Sequence, residues 1–146
     1  MTKLNKSFVI KKLDKITGFV LPGNVDLSRN NLVWSTPNWS DEFKIEFDIT
    51  VKSEMPTQYY NVFHMTNSTN DQGFGKRIPS VYVTPNWIEI CYPFSGNSNG
   101  CYGRFNNFQL NTTYHFEATQ EYNLNGQAIY KAAVNGSTIF EGVNTT

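Results

Sequence analysis

Apolar and polar residues alternate along much of the chain with a period of two. The clearest case is FKIEFDITVK, residues 43–52, in which each odd-numbered residue is apolar and each even-numbered residue is charged or a threonine. Such alternation predicts a strand with one face in a core and the other in solvent. The pattern recurs at residues 114–118, and further strands are predicted at 7–12, 18–21, 32–35, 60–65, 80–83, 87–91 and 102–105.

Turn-forming residues separate these strands. Asn135-Gly136 lies between apolar runs at 128–134 and 137–141, which is typical of a β-hairpin because both residues tolerate a positive φ. Helical periodicity is nowhere sustained beyond about two turns. We therefore expect an all-β fold, either a two-sheet antiparallel β-sandwich or a barrel, that forms one domain over residues 1–146. Its core should hold the large aromatic residues Phe43, Phe47, Phe63, Phe116 and Phe140.

Charge and composition exclude two kinds of partner and favour export. The 12 basic and 12 acidic residues cancel, whereas a nucleic-acid-binding protein needs clustered positive charge. No apolar run approaches the ~20 residues of a membrane-spanning helix, so we expect no membrane insertion. Six N-glycosylation sequons favour an extracellular location, and their asparagines are Asn5, Asn38, Asn67, Asn111, Asn135 and Asn144.

The two cysteines also favour an extracellular protein. Cys91 and Cys101 flank a nine-residue segment rich in turn formers, so they come close together if strands 87–91 and 102–105 pair as a hairpin. Metal binding is the competing interpretation, but a Cys-x9-Cys pair with no nearby histidine or third cysteine makes a poor zinc site. We predict a disulfide, which requires an oxidising compartment.

Three stretches resemble the concanavalin A-like jelly-roll superfamily, which includes laminin-G-like modules, pentraxins, galectins and legume lectins. They are FKIEFDITVK, then NVFHMT with GKRIPSVYV, and finally TTYHFEATQEYN with AIYKAAVNGSTIFE, and they span roughly residues 40–141. The resemblance implies a jelly-roll sandwich. It does not choose between sugar binding and sugar cleavage, because that fold hosts both lectins and glycosidases.

One strand is similar to the catalytic motif Glu-x-Asp-x-x-Glu of family 16 glycosidases. Glu46 and Asp48 match its first two acids, but Val51 stands where the third is needed. Retaining hydrolysis requires both a nucleophilic carboxylate and a proton-donating carboxyl group. We therefore expect Lys44, Glu46, Asp48 and Lys52 to form a solvated strand face without catalytic function.

Strand phase and loop position select candidate ligand-binding residues. Sugars are held by aromatic rings and by side chains that hydrogen-bond to hydroxyl groups. The candidates are residues of these types that point away from the core or lie near loops. They are His64, Arg77, Trp87, Tyr102, Arg104, His115 and Glu117. Structural roles compete with this interpretation. Arg77 could brace the turn at Ile78-Pro79, Trp87 could cap the end of the sandwich, and the histidines could be exposed without function.

Metal and galectin-type signatures are weak. Asn67, Asn70 and Asp71 are oxygen donors on one long loop, but a single carboxylate makes a poor calcium site, so no cofactor is expected. His64 lacks the neighbours of a galectin motif, and no Trp-Gly dipeptide occurs.

These observations predict a non-catalytic, extracellular carbohydrate-binding (lectin-like) module whose partner is a glycan or glycoprotein. The first alternative is a protein-interaction or cell-adhesion module of laminin-G-like type, able to form a homodimer through a sheet edge. The second is a glycoside hydrolase that uses Glu46 and Asp48 in another arrangement.

Overall fold

The computed structural model describes residues 8–11, 19–21, 42–52, 56–65, 79–98 and 100–145. The regular structure of these residues consists of ten β-strands: β1 Phe8–Lys11, β2 Phe19–Leu21, β3 Phe43–Thr50, β4 Tyr60–His64, β5 Ser80–Val83, β6 Trp87–Cys91, β7 Cys101–Asn106, β8 Thr113–Tyr122, β9 Ala128–Val134 and β10 Ser137–Asn144. Within the described ranges there is no helix, and hence none long and apolar enough to cross a bilayer. The predicted strand at 32–35 lies outside the described residues.

The strands form two antiparallel sheets. The six-stranded sheet has the order β10-β9-β8-β3-β1-β2, and the four-stranded sheet is the meander β4-β5-β6-β7. Strand β3 pairs with β8 over the whole length of β3, although the complete four-stranded sheet lies between the two strands in sequence. This long-range pairing joins the first half of the chain to the second.

The core lies between the two sheets, as the alternation predicts for a sandwich. Inward residues of β3, β8 and β9 meet those of β5 and β6 in one continuous apolar cluster. Phe43, Phe47 and Phe116 are buried, as predicted, and Phe140 packs against the cluster while partly exposed. The side chain of Phe63 lies outside the described part of the structure.

Two local predictions are confirmed. Asn135 and Gly136 both have positive φ, 48° and 78°, at the turn between β9 and β10. Cys91 and Cys101 form a disulfide across β6 and β7, so the metal alternative for this pair is wrong. The bond closes a loop whose Ser95 backbone N–H donates to the side chain of Asn144 on β10.

Candidate functional site

Two charged residues and an indole meet on the outer face of the four-stranded sheet. Ile88 and Ile90 of β6 are fully buried in the core, so the alternating Trp87 and Glu89 lie on the opposite face. The β6–β7 register places Arg104 directly across from Glu89. Three neighbouring strand positions therefore present an aromatic ring, a carboxylate and a guanidinium together.

Glu89 holds the other two side chains in place. Its Oε2 atom accepts the indole N–H of Trp87 at 2.8 Å and the Nε–H of Arg104 at 2.9 Å. The guanidinium carbon of Arg104 lies 4.7 Å from the centre of the Trp87 ring, which is a cation–π distance. A single carboxylate therefore fixes both an aromatic ring and a cation.

The burial of Glu89 is unusual for a residue outside the core. It is only 3% exposed, although its strand phase places it on an outer face. Removing a carboxylate from water costs several kcal/mol, which its two charge-assisted hydrogen bonds offset. Within the described part of the structure the terminal nitrogens of Arg104 make no hydrogen bond, and that side chain is 51% exposed.

Aromatic residues extend this face toward the sheet edge. Tyr82 of β5 is opposite Glu89 in the register, and the ring of Tyr59 lies 6.4 Å from that of Tyr82 in an edge-to-face arrangement. Tyr59 is 57% exposed, and Tyr60 at the start of the edge strand β4 is also exposed. We refer to Tyr59, Tyr82, Trp87, Glu89 and Arg104 as the aromatic face.

Among the other described candidates on this sheet, Tyr102 lies apart from the aromatic face, whereas His64 pairs with Ser80 on the side of the sheet that carries Tyr82. The ring of Tyr102 stacks on Phe140 at 5.0 Å and lies 5.1 Å from Phe94, at the side of the sandwich beside the disulfide loop. His64 is half-buried at the end of β4. Arg77 and the calcium candidates Asn67, Asn70 and Asp71 lie outside the described residues.

His115 and Glu117 lie on the outer face of the other sheet. The β3–β8 register sets His115 across from Asp48 and Glu117 across from Glu46. The ammonium of Lys44 binds both glutamates, with Nζ 3.0 Å from Glu46 and 2.7 Å from Glu117. These contacts, foremost the hydrogen bond to Glu117, raise the pKa of Lys44 above its ordinary value of 10.5.

This arrangement bears on the glycosidase alternative. Val51, which is buried, stands at the position of the motif's third acid. Glu117 nevertheless brings a third carboxylate beside Glu46 from β8. Glycoside hydrolysis assigns different roles to its two carboxyl groups, which requires different surroundings. Here the ammonium of Lys44 binds both Glu46 and Glu117, so the two carboxyl groups share one cationic partner.

The sequons that fall within the described residues differ in accessibility. Asn111 and Asn135 are exposed at turns and have positive φ. Asn144 is only 6% exposed, and its Nδ2 donates to Gln120 at 2.9 Å and to the Pro93 carbonyl at 3.3 Å. A glycan on Asn144 would replace one of the two amide hydrogens and therefore remove at least one of these bonds. Asn5, Asn38 and Asn67 lie outside the described residues.

Glu89, the central residue of the aromatic face, is not among the ligand-binding residues predicted from the sequence. A signal was present, because Trp87 and Glu89 are two residues apart on a predicted strand and therefore share a face. Burial of the carboxylate depends on Arg104 and on the hairpin register, which spacing along β6 does not reveal.

Comparisons with protein-family models, with curated proteins and with solved structures found no match to this chain.

Proposed function

We propose that the chain is a non-catalytic carbohydrate-binding module that holds its ligand on the aromatic face. The observation that carries this proposal is the shared carboxylate of Glu89, which fixes Trp87 and Arg104 in one orientation before any ligand arrives. Rigid rings and fixed donors reduce the ordering cost of binding. Such preorganisation suits ligands that offer many weak contacts, as sugars do.

The groups on the aromatic face are complementary to the groups that a sugar presents. The C–H faces of a pyranose ring pack against exposed aromatic rings, and Tyr59 provides such a surface. The terminal N–H groups of Arg104 can donate to neighbouring hydroxyl oxygens in a planar, paired geometry. Binding of this kind forms no covalent bond and needs no cofactor.

The proposal also includes the type of fold and the location of the protein. We assign the sandwich to a jelly roll of concanavalin A-like type and the protein to the extracellular space. The paired long-range strands β3 and β8 and the two antiparallel sheets support the first assignment. The Cys91–Cys101 disulfide is compatible with the second, because such bonds persist in oxidising compartments.

A glycan array tests this function, followed by calorimetric titration of the best ligand. Arg104→Ala should weaken binding at least about tenfold, because it removes the outward-facing donors. Lys131→Ala is the matched control, since Lys131 is also part of an exposed ion pair, with Glu141 on the other sheet. A chelator arm shows whether binding needs calcium. Absence of any array ligand, or equal loss in the control, contradicts the proposal.

One observation favours protein interaction as a second candidate. Tyr60 is exposed on β4, which is an edge strand of the four-stranded sheet and sits beside the exposed Tyr59. Among the described strands β4 has a neighbour on one side only, and aromatic residues at such an edge are suited to pairing with a second copy or another protein. Light scattering would then show a concentration-dependent dimer that Tyr60→Ser weakens, and the glycan array would remain silent.

A further inference from the structure

Ligand atoms of three residues converge on the outer face of the six-stranded sheet, away from the aromatic face. Glu46 comes from β3, and His115 and Glu117 come from β8. One carboxylate oxygen of each glutamate and one ring nitrogen of His115 lie within 4.8 Å of one another. No described cysteine or further histidine takes part in this group, which we call the His115 cluster.

The orientation of His115 is set by a fourth residue. Its Nδ1 atom lies 2.8 Å from Oδ1 of Asp48. An ionised carboxylate can only accept, so Nδ1 is the donor in this contact, and an imidazole with a single proton then presents its lone pair on Nε2. That atom faces Oε1 of Glu46 at 4.0 Å. A cation between two such acceptor atoms would stabilise their arrangement. In metal sites the second ring nitrogen of a ligating histidine commonly donates to a carboxylate, as Nδ1 of His115 does here.

The charges of the cluster also call for a cation. Glu46 and Glu117 are direct cross-strand partners, an arrangement that destabilises a sheet unless positive charge separates them. The ammonium of Lys44 already occupies that position, within 3.0 Å of both carboxylates. Asp48, which contacts His115, adds a third carboxylate to this part of the described surface.

We propose that the His115 cluster binds a divalent first-row transition metal, with Zn²⁺ as the representative ion. Glu46, Glu117 and Nε2 of His115 are the protein ligands, water completes the tetrahedron, and Asp48 orients the imidazole. Lys44 withdraws toward solvent when the ion enters. Zinc bonds of about 2.1 Å place tetrahedral ligand atoms about 3.4 Å apart, which rotation of these partly exposed side chains can reach.

The donor set selects this class of ion over calcium. Calcium takes six to eight oxygen ligands, whereas the cluster offers two carboxylates and a nitrogen. An imidazole with one or more carboxylates is a typical zinc ligand set. A metal here would join β3 to β8, the pair on which the long-range topology depends.

Calorimetric titration of the tag-free chain with Zn²⁺ tests the site, at a pH where imidazole is neutral. One equivalent should bind, and His115→Ala should abolish binding. The matched control is His64→Ala, because His64 is the other of the chain's two histidines. Asp48→Asn should weaken binding about tenfold through loss of orientation. Lys44→Met should strengthen it several-fold by removing the competing ammonium.

A thermal readout separates metal binding from damage to the fold. Zn²⁺ should raise the Tm of the wild type by at least about 2 °C and leave that of His115→Ala unchanged. Glu117→Gln provides a second ligand variant if His115→Ala does not fold. The proposal fails if neither the wild type nor Lys44→Met shows saturable binding, or if His115→Ala binds Zn²⁺ like the wild type.

Discussion

Trp87 donates its indole N–H to the carboxylate of Glu89, two residues further along the same strand, at 2.8 Å. The same oxygen accepts from Arg104 on the next strand. The bonds immobilise an aromatic ring and a guanidinium on the outer face of a sheet, where side chains normally move. The outer face of β6 and β7 therefore presents a fixed aromatic ring beside a fixed cation, and the proposed sugar-binding function depends on this rigidity.

Glu89→Gln should destabilise the fold and weaken ligand binding together. The amide keeps the shape of the side chain but loses the charge that strengthens both hydrogen bonds. We expect a loss of about 1–3 kcal/mol in the free energy of unfolding, measured by urea denaturation. Glu141→Gln is the control, because that exposed carboxylate lies 3.9 Å from Lys131 and its loss should cost less than about 1 kcal/mol. Equal stability of Glu89→Gln and the wild type would show that the network is not energetically significant.

Tyr130→Phe should leave stability unchanged or raise it. The Tyr130 hydroxyl is fully buried and has no hydrogen-bond partner within the described part of the structure, so removing it removes a desolvation penalty of about 1–3 kcal/mol. Burial, with a smaller contribution from Tyr92, raises the pKa of Tyr130 well above its ordinary value of 10. The unfolded chain therefore releases this proton first, and stability should fall as pH rises above 10. Urea titrations at neutral and alkaline pH should show a smaller fall in the variant; a large loss at neutral pH contradicts the account.

Lys44→Met should remove a stabilising contribution that exists only below strongly alkaline pH. The pKa of Lys44 is raised in the folded state, chiefly by the hydrogen bond to Glu117. Its contribution is therefore complete below pH 10.5 and lost as pH rises through the higher folded value. The wild-type advantage should be constant near neutral pH and shrink above 10.5, as measured by Tm. Lys52→Met, on an exposed side chain beyond the end of β3, serves as the control. A difference in Tm between the wild type and Lys44→Met that grows with pH would contradict this prediction.

Removing the disulfide should loosen the loop beside β10 and cost about 2–3 kcal/mol. Cys91 and Cys101 are ten residues apart, and closing so short a loop stabilises the fold by this amount in chain-entropy terms. The Cys91→Ala/Cys101→Ala double variant should show faster amide exchange at Ser95, which donates to Asn144. Unchanged exchange there would mean that the hydrogen bonds alone hold the loop. Exchange in the β9–β10 hairpin should be unaffected, because its turn is formed by Asn135 and Gly136.

Local patterns predicted the local structure of this chain well. The alternation in β3, the Asn135-Gly136 hairpin and the disulfide each depend on residues close in sequence, where periodicity and turn chemistry are decisive. Strand limits were less accurate. The segment predicted at 114–118 is the centre of β8, Thr113–Tyr122, because pairing with two long neighbours extends a strand beyond its alternating residues.

Contacts between strands that are distant in sequence could not be predicted from the sequence alone. Glu46 and Glu117 are both visible as outward residues, but only the β3–β8 register makes them partners. Similarly, Trp87 and Arg104 were selected separately as ligand candidates, and the hairpin register brings them together over Glu89. Sequence patterns identify which face a side chain occupies. They do not give the neighbour across the sheet.

NMR titration of the ¹⁵N-labelled chain with the best array glycan tests the central claim most directly. We expect saturable changes in the chemical shifts of the Trp87 indole N–H and the Arg104 Nε–H, since both groups lie on the proposed binding surface. The backbone amides of β9 and β10 should remain unshifted. Saturable binding that leaves both side-chain signals in place, or shifts confined to the six-stranded sheet, would contradict it.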